Sequence, residues 1–258
     1  MPIIIKTSQE IALMREAGRV NALALEATRR AIRPGVTTGA LNAIAEEVLR
    51  SHGAVPIFLG YPNPDPRYPD HPYPATITAS VNDELVHGIP GRRALKEGDI
   101  VSIDCGCVYQ GFVGDAAFTV GVGRISAQAK ELLQVTEEAL YKGIEASRLG
   151  KRLGDVSRVI QEHAESHGYN VVREYTGHGV GREMHEDPQI PHWGKRGTGF
   201  PLRAGMTYAL EPMVMIGKPQ VYVKRDTWTV VTRDHQLCAH FEHTVAVTDG
   251  EAEILTLL

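Results

Sequence analysis

Apolar residues recur at helical spacing from Ser8 to Ile32, where Ile11, Met14, Ala17, Val20, Leu23, Leu25, Ala27 and Ile32 mark one amphipathic helix. Thr7-Ser8-Gln9-Glu10 supplies a capping-box-like start, and Pro34-Gly35 stops the run. A second helical pattern spans Thr38 to Ser51 and ends at Gly53. The segment from Tyr61 to Pro74, Y-P-N-P-D-P-R-Y-P-D-H-P-Y-P, holds too many prolines for a helix or a central strand. Strand-like alternation follows near Ile77 to Val81 and again from Ile100 to Val122. Helical patterns return from Ser126 to Leu149 and from Leu153 to His167, and strands and turns complete the chain.

The order helix, helix, strands occurs twice, and part of the repeat is visible in the letters. A shift of 115 residues aligns Arg33–Gly53 with Arg148–Gly168, with seven of twenty-one positions identical. The pattern predicts an α+β chain, one domain over 1–258, built of two pseudo-symmetric αβ halves at about 8–123 and 124–250. A cleft between such halves is a common place for a site.

The run from Ile100 to Val122 reads as a hairpin. Val101, Ile103 and Cys105 mark its first arm, Phe112, Phe118, Val120 and Val122 its second, and Tyr109-Gln110-Gly111 its turn. A turn centred between Tyr109 and Gln110 sets Asp104 directly across from Asp115. Opposed side chains in an antiparallel pair lie roughly 4.5–5.5 Å apart, where like charges repel. One shared proton offsets that repulsion, and so do two divalent cations held about 3.5–4 Å apart.

Composition narrows the function without naming it. At 258 residues, 43% hydrophobic and 22% charged, the chain has the make-up of a globular protein. Its net charge of −4 gives nucleic acid no electrostatic claim as the main partner. The first residues lack the basic segment and apolar run of a secretory signal, and no stretch approaches the ~18 apolar residues of a membrane span. Cys105, Cys107 and Cys238 are odd in number and lack C-x-x-C spacing, which predicts reduced thiols in a cytoplasmic protein.

Further candidate groups lie in the second half. Y-T-G-H-G-V-G-R-E-M-H-E-D-P, Tyr175 to Pro188, strips bulk from around His178 with Gly177, Gly179 and Gly181. Neutral imidazole there suits a first-row divalent ion. Glu211 and Glu242 each interrupt an apolar strand-like run, and a carboxylate among core residues is costly unless paired or metal-bound. The set Asp104, Asp115, His178, Glu211 and Glu242 carries four negative charges, which two divalent cations neutralise. Oxygen ligands with one imidazole favour Mn, Fe, Co or Zn in a reactive site over a thiolate-type structural zinc. Such a pair acidifies water and polarises a carbonyl, the requirements of peptide hydrolysis.

At this point N-D-E-L-V-H-G-I-P at 82–90, the Asp104 and Asp115 hairpin, Y-T-G-H-G-V-G-R-E-M-H-E-D-P, A-G-M-T-Y-A-L-E-P and F-E-H-T together resemble the motifs of type I methionine aminopeptidases. They stand in that family's order over nearly the whole chain, from about Ile11 to Asp249. The resemblance implies the pita-bread fold, a curved antiparallel sheet covered by helices on its outer face, and two divalent metal ions on the five ligands above. It implies that Glu211 also serves as general base, that His185 steadies the scissile carbonyl oxygen, and that His87 contacts the scissile amide nitrogen. Tyr73, Met184 and Trp228, with Phe58 and Tyr61 nearby, would form the methionine pocket, whose aromatic and thioether walls suit a soft side chain. Two features depart from the family: Met184 stands where Phe is frequent, and the Pro-rich stretch is longer than the usual loop.

The implied activity is removal of the initiator methionine from nascent proteins and peptides with a small second residue. The implied partners are polypeptide N-termini, with transient ribosome contact, no membrane, no nucleic-acid specificity and a monomeric state. The chain's own start, Met1-Pro2, resembles a substrate. The alternative on the same fold is a proline-directed aminopeptidase or dipeptidase. Such relatives usually add an N-terminal domain, whereas this sequence begins within about ten residues of the catalytic unit and has no zinc-binding extension. A binding protein without the chemistry would be expected to lack one of the ligands, and all five are present with His87 and His185.

Overall fold

The computed structural model describes residues 2–258. Met1, and with it the substrate-like start, lies outside the described residues. Helix α1 (Ser8–Ala31) begins as its local chemistry dictates: the Thr7 hydroxyl accepts from the Glu10 N–H, and the Glu10 carboxylate accepts from the Thr7 N–H. This satisfies two groups that a helix start otherwise leaves unpaired. Thr37 caps α2 (Thr38–Ser51) and Ser126 caps α3 (Ala127–Ala146) in the same one-sided way, each accepting from an N–H three residues on. Helix α3 stops short of Leu149 because Ser147 turns away from helical backbone geometry and donates its hydroxyl back to Gly143. Helix α4 (Leu153–Ser166) starts with the Arg152 N–H donating to the Asp155 carboxylate.

Helices α2 and α4 end alike. The cap imidazoles of His52 and His167 place Nδ1 2.8 and 2.9 Å from the carbonyls four residues back, Val48 and His163. Gly53 and Gly168 follow at φ +75° and +80°, where glycine avoids the steric cost of a side chain. The repeated Ser-His-Gly ending is therefore one helix stop used twice.

Between α2 and α3 lie β1 (Val55–Pro56), β2 (Ile77–Val81), β3 (Glu84–Val86), β4 (Ile100–Tyr109) and β5 (Phe112–Gly121). After α4 come β6 (Asn170–Val171), β7 (Gly177–Gly179), β8 (Glu186–Ile190), β9 (Thr207–Leu210) and β10 (Met213–Met215). The chain continues through β11 (Val221–Val223), β12 (Val230–Thr232), β13 (Cys238–His240), β14 (Glu242–Ala246) and β15 (Glu253–Ile254). Nine strands form one antiparallel sheet along β1-β4-β5-β14-β9-β7-β8, with β2 on β4 and β15 on β14. Two smaller sheets run β13-β10-β6 and β11-β12-β3. The junction of β5 with β14, where Ala117 faces Glu242, brings residues far apart in sequence onto one surface.

Helix α1 lies across β4 and β5. The Asn21 amide donates to the Cys105 carbonyl at 2.6 Å, and a Cβ at Gly114 would sit 2.5 Å from the Ala17 carbonyl oxygen, so only glycine permits this approach. Ile103, Cys105, Ala116 and Phe118 belong to the buried core on the helix side. Their neighbours Asp104 and Asp115 point to the other face, because successive strand side chains alternate.

The β4–β5 register differs from the predicted one by two residues. Tyr109 faces Phe112, so Asp104 faces Ala117 and Asp115 faces Gly106. The two carboxylates are diagonal neighbours on one face, a relation that spans about 7–8 Å between Cα atoms, and are not directly opposed. The turn explains the difference. Gln110 and Gly111 are its two central residues, at φ +50° and +80°, a left-handed pair that matches hairpin twist. Centring the turn one residue earlier would put the bulky Tyr109 in that conformation, which aromatic side chains disfavour.

Candidate metal centre and substrate cavity

The helix-free face of the sheet opens into a cavity of about 330 Å³. Every residue singled out from sequence lines it: the ligand candidates Asp104, Asp115, His178, Glu211 and Glu242, the imidazoles His87 and His185, and Phe58, Tyr61, Tyr73, Met184 and Trp228. Thr78 and Pro64 complete the lining. Thr78 pairs with Asp104 across β2–β4, and nothing in the letters distinguishes it from other strand threonines.

Local chain geometry places each charged group. Glu211 follows the last residue of β9 and does not lie within a continuous strand, contrary to the reading of an interrupted apolar run. Pro212 has no N–H to extend the ladder, and the chain passes there from the large sheet into β10 of a smaller one. It returns at Phe241, so Glu242 opens β14. The two glutamates thus mark the crossings between sheets. Thr119 fixes the second crossing, accepting from the Ser102 hydroxyl and the His240 N–H and donating to the His240 carbonyl.

His178 sits in β7 beside a register shift against β8. Side chains at the flanking glycines are excluded by backbone: a Cβ would lie 2.4 Å from the Ala209 oxygen at Gly177 and 2.3 Å from the Asp187 oxygen at Gly179. Nδ1 of His178 lies 2.9 Å from the Gly179 carbonyl. Donation from Nδ1–H to that carbonyl sets the tautomer and leaves a lone pair on Nε2. Nε2 stands 3.7 Å from both Asp115 Oδ2 and Glu211 Oε1.

The cluster has the properties of a cation site. Asp115, His178 and Glu242 each offer a ligand atom within 4.8 Å of the others. Buried Asp104 Oδ1, Asp115 Oδ1 and Glu242 Oε1 have no hydrogen-bond partner in the protein, although orphaned buried polar atoms are costly. Burial pushes Asp104 well above the usual carboxylate range, and nearby Asp115 adds to the effect. Burial likewise raises Glu211 and Glu242 strongly and lifts Asp115 to about 8. It lowers His178 to about 3, so this imidazole is neutral and able to ligate. Divalent cations satisfy the orphaned oxygens and stabilise the ionised carboxylates together. The residues therefore fit the group.

One buried residue beside the cluster escaped the sequence reading. His240 Nε2 lies 3.4 Å from Glu211 Oε2 and 3.9 Å from Glu242 Oε2, and neither ring nitrogen has a hydrogen-bond partner. The available signal was an imidazole two positions before Glu242, easily read as a core histidine.

The rest of the cavity is apolar and anchored from outside. Tyr73 packs edge-on against Trp228 at 5.1 Å and Phe58 at 6.5 Å between ring centroids. The Trp228 indole N–H donates to the His71 carbonyl, and the Asn63 amide reaches Thr227, so the Pro-rich loop is tied to the β11–β12 turn. His87 adopts φ +59°, a sparsely populated conformation found disproportionately at functional sites. It is held because Gly88 lies against β2, where the Ser80 hydroxyl accepts from its N–H and its carbonyl accepts from the Ala79 N–H and the Tyr73 hydroxyl. His185 stands at the mouth, its ring 4.2 Å from that of His178.

A hydrolase that gathers divalent metal on buried carboxylates and one imidazole is the class that this fold and site define. The profile of metallopeptidase family M24 matches residues 12–249, and the chain belongs to that family. Its sheet and helices form the pita-bread fold. Methionine aminopeptidase 1 of Bacillus subtilis is 50% identical over 254 residues, 98% of this chain and 99% of its own. The crystal structure of methionine aminopeptidase from Thermotoga maritima superposes with a TM-score of 0.94 at 50% identity, covering 100% of both chains. Prolidase from Pyrococcus furiosus shares the fold, with a TM-score of 0.78 at 24% identity over 99% of this chain and 66% of its own. Among the described residues no helix is long and apolar enough to cross a membrane.

Proposed function

We propose that the chain hydrolyses the peptide bond after an N-terminal methionine, acting on peptides and proteins whose second residue is small. One observation carries the reading: Asp104, Asp115, His178, Glu211 and Glu242 line the same cavity as Phe58, Tyr73, Met184 and Trp228, with His87 and His185 beside them. Asp104, Asp115, His178, Glu211 and Glu242 would hold two divalent cations, which supply Lewis acidity and bring the pKa of water toward neutrality.

The chain's own groups do the rest. Tyr73, Trp228, Phe58 and Met184 take up the methionine side chain, whose polarisable thioether packs well against aromatic rings. Glu211 acts as general base, receiving a proton from the attacking water and passing it toward the leaving amine. His185 donates to the scissile carbonyl oxygen as negative charge develops there. His87, fixed through Gly88, meets the scissile amide nitrogen. Free, buried cysteines at 105, 107 and 238 suit a reducing cytoplasm, where nascent chains provide such N-termini.

The test is a comparison of substrates with Mn or Co added. Met-Ala-Ser is expected to be cleaved well and Xaa-Pro dipeptides far more slowly. Preference for Xaa-Pro would overturn the reading.

A further inference from the structure

The Pro-rich loop reaches His185 through the Tyr61 hydroxyl. Tyr61, at its start, is fixed by backbone bonds from Tyr61 N–H to the Phe58 carbonyl at 2.9 Å and from Tyr73 N–H to the Tyr61 carbonyl at 2.8 Å. The Gly60 N–H also donates to the Tyr73 carbonyl, so both ends of the loop are clamped together. From that clamp the Tyr61 hydroxyl lies 2.6 Å from His185 Nδ1, with the rings 5.5 Å apart at 65°.

We propose that Tyr61 is a positioning residue that sets the tautomer of His185. A neutral imidazole carries one N–H, and the partner of one nitrogen decides where it sits. If the phenol O–H donates to Nδ1, the proton resides on Nε2, and the nitrogen that remains for substrate is a donor. The opposite arrangement leaves Nε2 as an acceptor, which cannot stabilise an oxygen acquiring negative charge. The hydroxyl thus links the loop that borders the methionine pocket to the group assigned to the carbonyl oxygen. This assignment rests on the proposed reaction.

Tyr61→Phe removes one oxygen and keeps the ring. In the metal-loaded enzyme it is expected to lower kcat for Met-Ala-Ser by about tenfold, the scale of one uncharged hydrogen bond, while KM changes by less than about twofold. Metal content should be unchanged, and Tyr68→Phe, a second loop tyrosine, should match wild type in all three measurements. The direct readout is the ¹⁵N spectrum of the His185 ring: Nε2-protonated in wild type, mixed or Nδ1-protonated in Tyr61→Phe. An unchanged ring spectrum in Tyr61→Phe overturns the proposal even if activity falls, as does an Nδ1-protonated ring in wild type. Failure of wild type to cleave Met-Ala-Ser would instead count against the reaction, since the ring spectrum does not depend on turnover.

Discussion

The two ends of the cavity are built by different means. At the charged end, Asp104 and Asp115 come from the centres of long paired strands, β4 and β5, and Glu242 and His178 from β14 and β7 of the same sheet. At the apolar end, Phe58, Tyr61 and Tyr73 come from irregular chain around the Pro-rich loop, which is held by side-chain bonds such as that from Trp228 to His71. A sheet ladder fixes positions through many backbone bonds, as a site of four crowded carboxylates requires. A loop on a few anchors can change length or wall residues without moving the ligands. Apart from the Tyr61 hydroxyl, which joins the two ends through His185, chemistry and specificity should therefore respond separately to substitution.

The largest separation is expected between two imidazoles whose rings lie only 4.2 Å apart. His178→Ala should abolish detectable turnover and lower metal content, because it removes the one nitrogen ligand. His185→Ala should cost roughly 10²–10³-fold in kcat, the range for losing an oxyanion donor, with metal content retained. Metal analysis beside steady-state kinetics checks both, and equal metal loss in the two variants would break the distinction.

A smaller effect concerns stability. In the metal-free protein the cluster's carboxyls lie above their ordinary values in the folded state, Asp115 reaching about 8 from 3.8. Asp115 then binds more protons in the folded than in the unfolded chain between those values, so its own contribution to stability is fullest at low pH and is lost as pH rises toward 8, while the buried imidazoles, lowered by burial, act in the opposite direction. Cations favour the ionised carboxylates, which protons hold neutral at low pH. Added Mn should raise the melting temperature more at pH 8 than at pH 5. Calorimetry at the two pH values decides it, and a metal effect of equal size at both would place the carboxylates outside the cation site.

The same contrast governs what could be read from the letters. Helix starts and stops were legible because they depend on near neighbours, as with Thr7 and Glu10 or the Ser-His-Gly endings. The cavity's charged residues were legible because carboxylates in apolar strands are costly and so conspicuous. Pairing register was not, since it turned on whether Tyr109-Gln110 or Gln110-Gly111 formed the turn. Slipping by two residues keeps every side chain on its face, so Asp104 and Asp115 still share a surface. His240 was hidden for the opposite reason: its partners Glu211 and Glu242 converge only where the chain crosses between sheets.

Methionine removal is expected to depend on cations held by Asp104, Asp115, His178, Glu211 and Glu242 together. The most direct test is to titrate metal-free protein with Mn while following bound metal and Met-Ala-Ser cleavage in the same samples. No cleavage is expected without metal, then a rise that follows occupancy up to two ions per chain, and loss of both signals in His178→Ala. Full cleavage by protein shown to hold no metal would contradict that dependence.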